Sequence, residues 1–255
     1  MRARELTLRG LLNQVVESLT NIDGRVLRTL RFLVSRPGML TVAYLEGLRK
    51  PFIGPVQLFL LMNVLFFATD ALTGGTVFAT PLDGHLFRQP WSETAQVLIA
   101  NRLQALNTTA ALYAPRFDAA IAAYARTLIL LMVLAFAALP WLVFRRRARP
   151  FVAHVVFSLH LYAFILVLLS VGTAVPAAGV PFGSVRSTAE WLDATLSVAL
   201  LTAIGIYLHG ATGAVYGGGT RVARVLTSIG LAIGAAAIAL GYRFGLLLLT
   251  LYSTD

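Results

Sequence analysis

Five stretches of this chain, at about 55–73, 127–144, 152–175, 191–212 and 225–250, are almost wholly apolar. A helix needs about 20 such residues to cross a hydrocarbon core about 30 Å thick, and each stretch is near or above that length. The first is bounded by Pro55 and the Gly74-Gly75 pair. The second ends at Pro140-Trp141 and is stopped by the run Arg145-Arg146-Arg147-Ala148-Arg149-Pro150, which turns the chain into the third. The last is long enough to tilt. Composition agrees: 58% of residues are hydrophobic and 13% charged, against about 45–50% and about 25% in soluble domains. The expected fold is an all-α integral membrane helical bundle of about five transmembrane helices.

The sign of the charge sets an orientation. The net charge of +10 is nearly all arginine, with Lys50 the only lysine. Residues 1–54 hold nine basic residues, 145–150 hold four and 213–224 hold two. The intervening segments are poorer: four across 74–126, one in 176–190, and Arg243 late in the last span. Short basic loops stay on the cytoplasmic side, which places the N-terminus inside and the C-terminus outside, in the periplasm of a bacterial inner membrane. Arginines set beside apolar spans are explained by this rule, so nucleic acid is not an expected partner. The first long apolar run begins only near Pro55, and no cleavable leader is expected.

Residues 1–54 read as three short basic amphipathic helices ahead of the membrane domain at 55–251. Leu8, Leu11, Leu12, Val15, Val16 and Leu19 form one apolar stripe, and Val26, Leu27, Leu30, Leu33 and Val34 a second. A third follows Pro37, expected in a first helical turn, and runs through Val42 and Leu45 to Leu48. Such helices either lie in the headgroup plane or pack on the cytoplasmic ends of the spans. Arg25, Arg28, Arg31, Arg49 and Lys50 are then the candidate contacts to anionic lipid headgroups. In the outer loop, 74–126, Ser92 is expected to cap a surface helix and Pro115 to open the helix that becomes the second span. His85 is expected to be solvated.

Ionisable and amide side chains within spans are functional candidates, because hydrocarbon makes them costly. Counting about 1.5 Å of rise per residue, Asn63 and His160 lie about 12 Å from the cytoplasmic boundary and His154 and His209 within about 5 Å. Asp70, Asp193 and Arg243 fall near the outer boundary, where a structural ion pair of Arg243 with Asp70 or Asp193 is expected. His154 and His160 point about 120° apart on a helix, so one metal cannot take both. With no cysteine in the chain, neither a disulfide nor a thiolate metal site can form, and no cofactor motif is present. Neutral histidines and Asn63 can serve instead as interhelical hydrogen-bonding groups. The spacings Gly230-xxx-Gly234 and Gly241-xxx-Gly245 allow close helix approach, within the chain or in a homo-oligomer.

Three segments carry a family resemblance: "RTLRFLVSRPG" followed by "EGLRKPFIGP", then "FVAHVVFSLHLYAF", then "YLHGATGAVYG". In this order they resemble a bacterial family of uncharacterised multi-pass membrane proteins. Its members often carry a Cys-rich zinc ribbon ahead of this region, and this sequence has none. Ala153 stands where the family commonly has an acidic residue and Tyr162 where it has a further histidine. The resemblance implies a membrane location and a topology, and no reaction. With no catalytic constellation, the first functional reading is a non-enzymatic scaffold or lipid-associated accessory protein. The alternatives are a proton-linked or small-solute transporter using Asn63 and His160, and a lipid-processing enzyme using His154, His209 and Arg49 at the cytoplasmic leaflet.

Overall fold

A computed structural model describes residues 24–73, 77–147, 149–177, 186–217 and 219–254, with backbone alone for 175–177 and 186–197. Among the described residues the chain is helical, without strands. Helix α1 covers 24–35. It is followed by α2 (Met39–Leu45), α3 (Pro55–Leu72), α4 (Leu82–Phe87), α5 (Ser92–Ala105), α6 (Ala110–Phe144), α7 (Phe151–Ala177), α8 (Arg186–Tyr216) and α9 (Arg221–Ser253). Helices α3, α6, α7, α8 and α9 are long and apolar enough to cross a membrane.

Local chemistry sets the helix ends. Pro55 occupies the first turn of α3, where no N–H partner is needed, and the Gln57 side chain accepts from the Gly54 N–H at 3.2 Å. Thr220 caps α9 by accepting from the Ala223 N–H at 3.2 Å. The second span differs from expectation: α6 opens at Ala110, behind the extended Thr109, and contains Pro115 rather than starting there. Pro115 is the sixth residue of α6, so its missing N–H leaves the Ala111 carbonyl without the usual intrahelical donor. Ser92 is the first helical residue of α5 and Trp91 precedes it as the cap; the Ser92 hydroxyl instead closes a turn onto the Gln89 carbonyl at 2.6 Å.

The bundle is organised on α7, which packs against α3, α6, α8 and α2. Along its most apolar stretch 61% of residues are buried, against 17% in α9, whose main packing is on α6 and α8. Four hydroxyls inside the bundle are absorbed by their own helices: Ser158, Ser170, Thr212 and Ser228 each donate to the carbonyl four residues back, at 2.7–2.8 Å.

The segment before α3 docks on the bundle end. Leu33, Leu40 and Ala43 are buried, and the turn between α1 and α2 is driven against α8. Gly38 there has φ 82°, and a Cβ on it would stand 2.8 Å from the Ala211 Cα and 3.0 Å from the Ala214 Cβ. Pro37 lies outside the helix, in that turn, facing Gly210 of α8. Helix α2 stops at Leu45 rather than Leu48, because Gly47 adopts φ 83°. The basic linker is then strapped back onto α1: Arg25 Nη2 donates to the Phe52 carbonyl at 2.6 Å, and the Ile53 N–H donates to Thr29 Oγ1 at 3.1 Å. The first expected stripe, Leu8 to Leu19, lies outside the described residues.

Gly38→Ala adds a side chain where both backbone angle and space exclude one. It should destabilise the chain by about 2 kcal/mol or more, read as a lower unfolding temperature of detergent-solubilised protein; an unchanged midpoint would refute the docking.

Candidate functional site

Two of the four intramembrane candidates prove to be interhelical ties. His160 is 3% exposed and its Nδ1 lies 2.8 Å from Thr41 Oγ1 of α2. It stands nine positions into α7, ~13 Å by helical rise, so the α1–α2 hairpin enters the bundle end rather than resting on it. His154 Nδ1 lies 2.8 Å from the Tyr216 hydroxyl at the end of α8. Asn63 and His209 are half-buried, and Asn63 Nδ2 and His209 Nδ1 are buried with no hydrogen-bond partner among the described residues. The described residues hold no group of three or more metal-ligating side chains. The four candidates are thus spread over the bundle and line neither of the two clefts described below.

The outer-boundary residues meet through a peptide group. Arg243 Nη2 donates to the Val77 carbonyl at 2.6 Å, while the Val77 N–H faces the buried Asp70 carboxylate. Among the described residues no ion pair joins Arg243 to Asp70; the Val77 peptide lies between them instead. The Asp193 side chain lies outside the described residues. Of the four glycines on α9, Gly234 is in close contact with α6, since a Cβ there would stand 2.4 Å from Leu139 Cδ1; Gly230, Gly241 and Gly245 meet nothing within 4 Å.

Tyr216 leads from His154 to the end of the bundle where the arginines gather. Its ring stacks on Phe144 of α6, centroids 4.0 Å apart, and its carbonyl accepts from Arg147 Nη1 at 2.8 Å. Beside it, between the C-terminus of α6 and the N-terminus of α9, is a cleft of about 400 Å³ lined in part by Phe144, Arg146, Arg147, Thr212 and Arg224. No carboxylate is among its lining residues. Arg224 lies across Gly213 of α8, and its Nε is buried with no hydrogen-bond partner among the described residues. Three guanidiniums and the N-terminus of a long helix converge here, an arrangement that attracts anions. Among the described residues the sole ion pair, Arg88 with Asp83 at 2.8 Å, is at the opposite end. The other basic candidates surround the same end: Arg28, Arg31 and Lys50 are exposed, and Arg49 sits over the Tyr44 ring at 4.7 Å. Sequence reading counted Arg146, Arg147 and Arg224 as topogenic charge; their convergence depends on how α6 and α9 meet. Thr41 and Tyr216 carried no polar-pairing signal of their own.

At the opposite end α4 and α5 pack together and α4 packs on α6, and His85 is not solvated but fully buried. Its Nδ1 accepts from Trp91 Nε1 at 3.2 Å, which fixes the neutral tautomer with hydrogen on Nε2. Phe117 meets the ring edge to face at 6.0 Å. Burial, with the Arg243 guanidinium adding to it, pushes the imidazole down to about 4.

The fold defines an all-α chain with five helices able to span a membrane. Residues 23–67, from α1 through most of α3, match the model of a family of proteins of unknown function, DUF3667. No curated protein and no solved structure matches the chain.

Two predictions follow from these ties. Thr41→Val should cost about 1 kcal/mol of stability, and should cost almost nothing further in a His160→Leu background; additive losses would mean that the two do not interact. His85 protonates less readily folded than unfolded, so its contribution is complete above about pH 6.5 and is lost as pH falls towards 4, about 3 kcal/mol in all. A His85→Gln variant should flatten the fall in unfolding temperature across that window, whereas an unaltered slope would rule His85 out as its cause.

Proposed function

We propose that this chain is a non-enzymatic membrane protein that binds anionic lipid at its arginine-rich end, with that end on the cytoplasmic side of a bacterial inner membrane. The observation that supports the reading is the cleft of Arg146, Arg147 and Arg224, which has no carboxylate in its lining. A guanidinium cluster without internal counter-charge takes phosphate readily, and lipid headgroups supply it at this depth. The exposed Arg28, Arg31 and Lys50 add basic surface at the same end of the bundle. Neither a transporter nor a lipid-processing enzyme gains from the geometry. His160 is closed off by Thr41, His154 is committed to Tyr216, and Arg49 is committed to Tyr44.

Each basic side chain near an anionic surface contributes about 1 kcal/mol, so three should together give roughly a hundredfold in affinity. Native mass spectrometry of the full chain should show retained phosphatidylglycerol in preference to phosphatidylcholine. The Arg146→Gln, Arg147→Gln, Arg224→Gln variant should lose that preference. Equal retention of the two lipids by the unaltered chain, or the same preference in the variant, would overturn the reading.

A further inference from the structure

A second cleft, of about 470 Å³, opens between α7, α8 and α9 towards the end opposite the arginine cleft. The size lies within the range of about 300–1,000 Å³ usual for ligand sites. Its α9 wall is methyl-sized along Ala232, Ala235, Ala236 and Ala239, then carries Leu240 before ending at Arg243. The eleven residue steps from Ala232 to Arg243 make a furrow ~16 Å long, running from mid-bundle towards the end of α9. Ile165 and Leu169 of α7 form part of the facing wall.

Two polar side chains interrupt this apolar lining. Tyr162, on the α7 wall, is 3% exposed, and its hydroxyl has no hydrogen-bond partner among the described residues. Arg243 donates through Nη2 to Val77, and among the described residues no carboxylate pairs with it. An arginine facing hydrocarbon is costly unless it reaches water or an anion. A cation at the boundary above a narrow apolar furrow matches a membrane lipid in its ordinary orientation, with the anionic head at the interface and the chain descending.

We propose that this cleft binds an anionic acyl lipid of the leaflet at this end, its phosphate on the Arg243 guanidinium and one acyl chain along the α9 alanines past Tyr162. This site is separate from the arginine cleft and is recognised by one charge and a shaped furrow rather than by a basic cluster.

The test uses the full chain in vesicles containing phosphatidylglycerol with a photoreactive diazirine in its acyl chain, and in parallel phosphatidylcholine bearing the same chain. Crosslinks mapped by mass spectrometry should fall on residues 232–243, and phosphatidylcholine should give about tenfold fewer there. Arg243→Gln should reduce the phosphatidylglycerol crosslinks to the phosphatidylcholine level. Ala239→Leu, which leaves Arg243 and its Val77 bond in place but fills the furrow, should reduce crosslinking from both lipids. The Arg146, Arg147 and Arg224 variant should crosslink here as the unaltered chain does, which separates this site from the other. Equal labelling by the two headgroups, or undiminished labelling in Arg243→Gln or Ala239→Leu, would overturn the proposal.

Discussion

In hydrocarbon no water is available to complete a hydrogen bond, and the polar groups of this chain are arranged around that fact. The constraint bears hardest on α7, the most enclosed span, which carries two histidines and two serines. Each serine returns its hydrogen to its own helix. Each histidine reaches a different neighbour, His160 to Thr41 of α2 and His154 to Tyr216 of α8. These two ties, on differently directed faces of α7, join the hairpin that precedes the first span and the end of the fourth span to the central helix. The close approach of Gly38 to Ala211 and the stacking of Tyr216 on Phe144 then follow at the same end of the bundle.

The two ends of the molecule solve opposite electrostatic problems. At the basic end, arginines from the turn after α6 and from the first turn of α9 line one cleft with no carboxylate among its lining residues. At the other end, Arg243 and Asp70 share the Val77 peptide, one donating to its carbonyl and the other facing its N–H. The short helices there bury His85 as a neutral imidazole against Trp91 and Phe117. Helix α9 is the least buried span, and both clefts use it: its N-terminal turn borders the arginines and its alanine face forms the furrow below Arg243.

Much of this was legible in the sequence because it depends on composition over long windows. Five apolar runs bounded by Pro55, by the Arg145–Arg147 turn and by glycines predict five helices, and five are present. His160, expected about 12 Å from the cytoplasmic boundary by helical rise, is buried against Thr41 of α2. What could not be read were relationships set by packing. The helical stripe at Val26–Val34 suits a membrane surface and a bundle end equally; in the structure Leu33 is buried in the bundle while Leu27 and Val34 stay exposed. His85 sits between Asp83 and Arg88 in a stretch that reads as a solvated loop; Trp91, just ahead of α5, and Phe117 of α6 enclose it. The pairing of Arg243 with a backbone carbonyl leaves no trace in residue type, whereas a carboxylate partner would have. Pro115 reads as a helix start by rule, and the preceding turn from Ala110 is helical because Thr109 ends the extended loop one turn earlier.

The claim on which the account rests is that the arginine-rich end and the α4–α5 end lie on opposite sides of one membrane. The absence of native cysteine makes a direct measurement free of background. Single variants Lys50→Cys and Gln104→Cys, both at exposed positions, can be treated in intact bacterial cells stripped of their outer membrane with a maleimide that does not cross bilayers. The account predicts that Gln104→Cys labels at once and Lys50→Cys only after the membrane is permeabilised. Labelling of both without permeabilisation, or of neither, would contradict it.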